Sequence, residues 1–325
     1  MPATANHIYS YRCVLMGSPI LLKLFVDDAQ AVQQVFGRIK QLEDMFTVNR
    51  PHSQIMSINH AAGQHPVSVS AMVYQLIKRA KNASILPDSC FNFAIGPLVK
   101  CWKIGFSGNH VPDAPQIAER LALTNPNDVL LNDAQRTVFL RHAGMEIDLG
   151  AIAKGYIADI IKQQLHSLNI HHAIINLGGN VQTVGGSLSD AQGEWHIGLQ
   201  KPFASAGTLI GTLQLQDRSV VTSGVYERYF SIDGNIYHHI LNPKTGYPLD
   251  NELHSVTIIS EHSLDGDIYS TLLYGMGVKQ GLQALQETPG IEAIFVTKDQ
   301  RVILSSQHHF HFRLQDNRYQ LVVAP

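Results

Sequence analysis

The sequence predicts an α+β fold in which mixed sheets pack against helices, and three observations point there. Apolar residues recur at the helical period over long stretches, above all in Ala29–Phe46. Short apolar or alternating segments bounded by turn residues crowd residues 172–260. The two kinds of segment follow one another without the regular rhythm of a doubly wound parallel sheet. At 325 residues the chain can bury one large core or two smaller ones.

In chain order, residues 14–26 form an apolar run interrupted by Gly17, Ser18, Pro19 and Lys23, which reads as a strand and not as the unbroken apolar region of a signal peptide. Val32, Val35, Phe36, Ile39, Leu42, Met45 and Phe46 then share one face of an amphipathic helix. A turn follows at residues 48–53, where Pro51 forces Arg50 out of the helical region. A second helix spans residues 71–85 and stops before Pro87. Residues 89–99 mix apolar and small side chains with no period and read as a loop packed into a site or into the core. Residues 111–123 open with Pro and Asp at helix-start positions, and residues 129–131 and 137–140 form a hairpin.

Met145-Glu146-Ile147 reads as a strand end, Gly150 as a turn, and Ile152, Tyr156, Ile157, Ile160 and Ile161 as one face of a helix. A buried strand at residues 172–177 ends in Gly178-Gly179-Asn180, where glycines admit close approach of a ligand or of a neighbouring chain. Further strands are expected at residues 194–200, 208–215 and 219–222. Asp233-Gly234-Asn235 marks a hairpin between residues 228–232 and 236–241, whose second strand delivers His238, His239 and Ile240 into a rigid turn ending at Pro248. A strand at Leu253–Ser260, a helix at residues 264–278 and strands at residues 291–297, Arg301–Leu304 and 319–323 complete the chain. The histidine-rich residues 307–311 read as a solvated edge strand with no carboxylate beside it, in preference to a metal tract.

Composition narrows the function. A formal charge of -2 provides no basic field for nucleic acid, which favours a small-molecule site or a local protein contact. Cys13, Cys90 and Cys101 are odd in number and lack paired metal spacing, so buried thiols are expected. Cys13 has no apolar lead-in of the kind that precedes a lipoprotein cleavage site, and no stretch is long enough for a membrane span, so a cytoplasmic location is expected.

Two segments carry chemistry. The turn into the helix after Asp148 presents unpartnered backbone N–H groups and the positive end of the helix dipole, which suit phosphate, with Lys154 adding a full charge. Asp148 and the turn carbonyls could hold a hard cation, though such turns also serve as plain packing devices. Asp267 and Thr271 stand four apart, so their oxygens stack on one helix face and could ligate Mg²⁺ or Ca²⁺. The plainer alternative is an acidic residue offsetting the helix dipole with a Thr bonded back to its own helix.

Taken together in order, Met16-Gly17-Ser18, Phe46-Thr47 through Ser53 with Asn59, Gly96-Pro97-Leu98-Val99 with Trp102, Asp148 through Tyr156, Asn176 through Asn180, Thr222 through Tyr226, His239 through Pro248 and Asp267 through Gly277 resemble the ApbE family of FAD:protein FMN transferases. The resemblance implies one ApbE-like domain over residues 8–323, in one piece or two lobes, with a short tail at residues 1–7 and an active site between the two halves. It implies FAD as substrate, Mg²⁺ as cofactor, and an acceptor flavoprotein whose Ser or Thr hydroxyl receives FMN through a phosphoester bond as AMP leaves. Carried over by position, Ala151, Asp267 and Thr271 hold the metal. Met16, Asn49, Cys90, Phe91, Asn92, Asp148, Lys154 and Ile240 meet FAD, and His239 is the candidate general base. Asn49 stands where the family usually has an aromatic residue, and Asn92 where an acidic one is common. The lost ring leaves space for water, so a metal-dependent FAD pyrophosphatase is one alternative; a non-catalytic FAD-binding protein is the other.

Overall fold

The computed structural model describes residues 7–324; the expected N-terminal tail lies, but for His7, outside the described residues. In chain order the elements are β1 (Tyr9–Leu15), β2 (Ser18–Leu24), α1 (Ala29–Phe46), α2 (Gln54–His60), β3 (Val67–Ser68), α3 (Ala71–Ser84), α4 (Gly96–Trp102), α5 (Ala114–Leu121), β4 (Val129–Asn132) and β5 (Thr137–Leu140). They continue with α6 (Ala153–Ser167), β6 (Ala173–Leu177), β7 (Asn180–Val184), β8 (Trp195–Gln200), β9 (Leu209–Leu215), β10 (Ser219–Gly224), β11 (Tyr229–Ile232) and β12 (Asn235–His238). The last elements are β13 (Leu253–Ser260), α7 (Ser263–Gln286), β14 (Glu292–Thr297), β15 (Arg301–Leu304), β16 (Phe310–Leu314) and β17 (Gln320–Val323). The class is α+β, as its mixed and mostly antiparallel ladders require.

The chain divides into two compact units. One comprises the residues up to Glu43, Lys154–Gly224 and those from Glu252 on; the other comprises Asp44–Ala153 and Val225–Asn251. The first is built on a nine-stranded sheet in the order β1-β2-β6-β7-β10-β13-β14-β15-β17, accompanied by the three-stranded sheet β16-β9-β8. Trp195, Ile210, Leu213, Val220, Ile259, Ile294, Val296, Phe310 and Phe312 share one buried cluster there, and α7 packs against β10 and β13. The second unit holds the sheet β3-β5-β4, the hairpin β11-β12 and helices α2 to α5. Its Leu98, Trp102, Ile104, Ile117 and Leu241 pack together.

Side-chain caps place several helix starts. Asp28 accepts from the N–H of Ala31 at α1, Ser53 from Met56 at α2 and Ser70 from Val73 at α3. The predicted bounds of α1, β13 and β15 match, because strong periodicity and clear end signals coincide there.

Other expectations need correction. The run at residues 14–26 is not one strand but the end of β1, a turn and β2, for Met16 and Gly17 both take positive φ (53° and 64°) and turn β1 into β2. Residues 145–147 form no ladder. Instead Asn59 acts as a substitute strand, donating from Nδ2 to the Ile147 carbonyl at 3.0 Å and accepting the Ile147 N–H at 2.9 Å. The loop at residues 89–99 turns helical at Gly96, with Pro97 in the first turn of α4. The helix at residues 264–278 continues to Gln286 beyond a break at Gly277, whose φ of 72° leaves the helical region. Strand β12 ends at His238, so His239 and Ile240 lie beyond the ladder.

The histidine-rich tract does have a carboxylate beside it. Buried Glu292 accepts from Ser306 Oγ (2.6 Å), His308 N (2.7 Å), His309 N (3.0 Å) and His309 Nδ1 (2.8 Å). Burial pushes this carboxyl up, but the Ser306 hydroxyl, the His308 N–H and the His309 ring outweigh it and hold it below the usual range.

Candidate functional site

In the first unit the site grows from two helices that cap each other. Helix α7 begins at Ser263 without a side-chain cap from its own preceding residue, His262. Asp159 of α6 takes that role, accepting from the N–H groups of Ser263 (2.7 Å) and Leu264 (3.0 Å). Asp267 of α7 returns it, accepting the Gly155 N–H in the first turn of α6 at 2.6 Å through Oδ2. The close approach depends on Gly155, because a Cβ there would come within 2.3 Å of the Ser263 carbonyl oxygen. Asn180, just beyond the glycine turn, donates from Nδ2 to Asp267 Oδ1 at 3.0 Å and accepts the Ser263 hydroxyl at 2.8 Å.

Asp267 is therefore buried, 8% exposed, and held by two neutral donors. Burial pushes its carboxyl up to about 7 against the pull of Gly155, Asn180 and the Lys154 charge, with Asp159 adding to the rise. Each carboxyl oxygen spends one acceptor site on these donors and keeps another. Thr271 sits half-buried one turn along, its hydroxyl donating only at 3.4 Å to the Asp267 carbonyl. A buried carboxyl whose charge is resisted, with a lightly engaged hydroxyl one turn away, fits a hard divalent cation. Among the described residues no group of three or more His, Cys, Asp or Glu could hold a metal, so the remaining ligands of such an ion would be hydroxyl, carbonyl or water oxygens. Lys154 extends its Nζ to 3.4 Å from Ser18 Oγ and 3.3 Å from the Gly178 carbonyl, beside the turn that carries Met16.

In the second unit Asp148 leaves its extended segment with its N–H on the Phe93 carbonyl at 2.8 Å and its Oδ1 accepting the Gly150 N–H at 2.7 Å. That side-chain turn shapes the approach to Ala151 and α6. Burial raises the Asp148 carboxyl, while the Gly150 N–H, Arg228 and Lys100 lower it and Glu146 raises it. Phe91 is a core ring at 2% exposure, so its side chain packs behind the loop surface. Asn92 bonds to the Thr124 carbonyl at 2.8 Å and accepts the Ala94 N–H at 2.8 Å, which makes it the brace of this loop. Cys90 is half-buried, and burial pushes its thiol above the ordinary range, which disfavours the thiolate. Asn49 is exposed.

The two adjacent histidines separate cleanly. His238 is buried, its Nε2 donating to the Leu249 carbonyl at 2.7 Å and its Nδ1 accepting the Ile240 N–H at 3.3 Å. His239 is half-exposed, with Nδ1 3.3 Å from the Arg228 carbonyl oxygen. That oxygen only accepts, so in the neutral ring Nδ1 carries the proton and Nε2 the lone pair. Ile240 is buried behind it.

Gly155 and Asn180 were not legible as partners of Asp267, nor Asp159 as the cap of α7. Only the glycine turn before Asn180 hinted that something approaches closely there.

The ApbE family model matches residues 16–295. The chain belongs to the ApbE family. A protein of Klebsiella pneumoniae named FAD:protein FMN transferase is 57% identical over 317 residues, covering 98% of each chain. One of Treponema pallidum with the same name is 36% identical, over 90% of this chain and 83% of its own. Among solved structures, an ApbE protein from Thermotoga maritima superposes with a TM-score of 0.80 at 30% identity, covering 90% of this chain and 95% of that one. The flavinyl transferase ApbE of Pseudomonas stutzeri, in its apo form, gives 0.77 at 25% identity over 97% and 96%. The fold is thus that of ApbE proteins, and the chain is a transferase.

Proposed function

We propose that this protein moves the FMN half of FAD onto a Ser or Thr hydroxyl of an acceptor flavoprotein, with Mg²⁺ as the required ion. The observation that carries the reading is the 57% identity to a protein named for this reaction, sustained over 98% of both chains. The acceptor hydroxyl attacks the phosphorus that bears riboflavin, forming a P–O bond as the bond to AMP breaks. AMP leaves with the electron pair, and the hydroxyl proton goes to Nε2 of His239, whose Nδ1 is held by the Arg228 carbonyl. Asp267 and Thr271 supply side-chain oxygens to Mg²⁺, and the family resemblance adds an oxygen of Ala151. The ion, when bound, neutralises charge gathering on the phosphoryl oxygens and also relieves the cost of keeping Asp267 ionised while buried.

Lys154 adds a positive charge at the start of α6, where the positive end of the helix dipole favours phosphate even though the N–H groups of Ile152, Ala153 and Gly155 are taken by Leu149 and Asp267. Met16, Asn49, Cys90, Phe91, Asn92, Asp148 and Ile240 surround FAD in this reading, with Phe91 and Ile240 acting as packing behind the contact surface. The test incubates the protein with FAD, Mg²⁺ and a candidate flavoprotein, following AMP release and acceptor mass. A mass gain equal to FMN less water, matched by AMP, is the expected result. AMP with FMN free in solution would make the protein a pyrophosphatase, and retained FAD without either product would make it a binding module.

A further inference from the structure

We infer that Arg228 is a further catalytic residue, a fixed cation that contacts the phosphoryl oxygens during transfer; this rests on the reaction proposed above. Its backbone and side chain are both committed. The Arg228 carbonyl accepts from the His239 N–H at 3.2 Å and faces His239 Nδ1 at 3.3 Å, so the guanidinium and the proposed base issue from facing positions of one hairpin. Ladder register agrees, since Tyr229 pairs with His238 and Arg228 comes one step before.

The side chain lies at the surface, along Gly105 and over the exposed Phe106 ring. Gly105 has a φ of 80°, and a Cβ on it would come within 2.6 Å of Arg228 Cδ and 2.9 Å of Cγ, so the aliphatic stem runs where only glycine leaves room. The guanidinium carbon stands 5.8 Å from the centroid of the Phe106 ring, a cation–π contact that orients the charge without neutralising it. Among the described residues Arg228 forms no salt bridge, yet its charge reaches Asp148, which the proposed function places on FAD. An arginine that faces the proposed base across the hairpin and whose charge acts on a carboxylate assigned to FAD is suited to the phosphoryl oxygens, which the attacking hydroxyl must approach. Arginine suits that place, because its planar fork matches phosphate and stays charged.

The test compares wild type, Arg228→Gln, Arg228→Lys, Gly105→Val and the Gly105→Val/Arg228→Gln double variant, each with FAD, Mg²⁺ and acceptor. Wild-type adduct formation checks the underlying reaction separately. For Arg228→Gln the expected result is a fall in kcat of about 10²- to 10³-fold, with FAD affinity, read by flavin fluorescence titration, changed by less than about tenfold. Arg228→Lys should recover part of the loss. Gly105→Val keeps the charge but evicts its stem, so it should slow wild type yet add little to Arg228→Gln. A kcat within about threefold of wild type in Arg228→Gln, a loss confined to the KM for acceptor, or fully additive effects in the double variant would each overturn the assignment.

Discussion

Asp267 shows how one side chain can carry two duties. It completes the first turn of α6 through Gly155, and in the proposed function the same carboxyl would offer oxygen to a cation. Its folded pKa, about 7, lies above the ordinary value of 3.8, so without a cation its contribution to stability is greatest at low pH and is lost as the pH rises toward 7. A divalent ion competes with that proton. Mg²⁺ should therefore raise Tm more at pH 8 than at pH 5.5, and Asp267→Asn should abolish both the shift and turnover. Equal shifts at the two pH values would remove Asp267 from the ion's ligands. The histidine pair invites a complementary comparison. His239→Ala should slow acceptor modification by about 10²- to 10⁴-fold while leaving the melting curve alone. His238→Ala should lower Tm, because it strips partners from the Leu249 carbonyl and the Ile240 N–H.

At the scale of elements, mutual capping explains why α6 and α7 start where they do. Neither helix supplies its own side-chain cap in the usual position, and each borrows a carboxylate from the other. Asp159→Ala leaves two N–H groups of α7 without their acceptor and should cost about 1–2 kcal/mol, read as a shift in the midpoint of urea unfolding at unchanged m-value. An unchanged midpoint would mean that water replaces the cap without penalty. The period of Ile157 and Ile161 made α6 legible in the sequence, and the run after Ser263 did the same for α7. Their mutual dependence was not legible, since Asp159 and Ser263 lie 104 residues apart and neither side of the pair has a local signature.

Across the first unit, Glu292 ties the large sheet to the small one. It projects from β14 and gathers the backbone of His308 and His309, the residues that lead from β15 across to β16. Its pKa is depressed in the fold, so the stability it adds is present above the ordinary glutamate value of 4.5 and is lost as the pH falls through the lower folded one. Glu292→Gln should lower Tm at pH 7 and flatten the fall in stability on acidification below that range, as followed by circular dichroism. An unaltered acid limb would show that other carboxylates set it.

By itself the sequence determined the α+β class, most helices, the tight hairpin at Asp233-Gly234 and the family, because each rests on local periodicity, turn chemistry or ordered short motifs. It also singled out Asp267, Thr271, Lys154 and His239, whose types announce their chemistry. Tertiary structure alone decided that Asn59 stands in for a strand beside Ile147, that His238 is buried on the Leu249 carbonyl while His239 faces the Arg228 carbonyl at the half-exposed surface, and that Gly105 and Phe106 lie against Arg228. Such facts depend on burial and on partners distant in the chain, and a hydrogen bond between remote residues leaves no period to read.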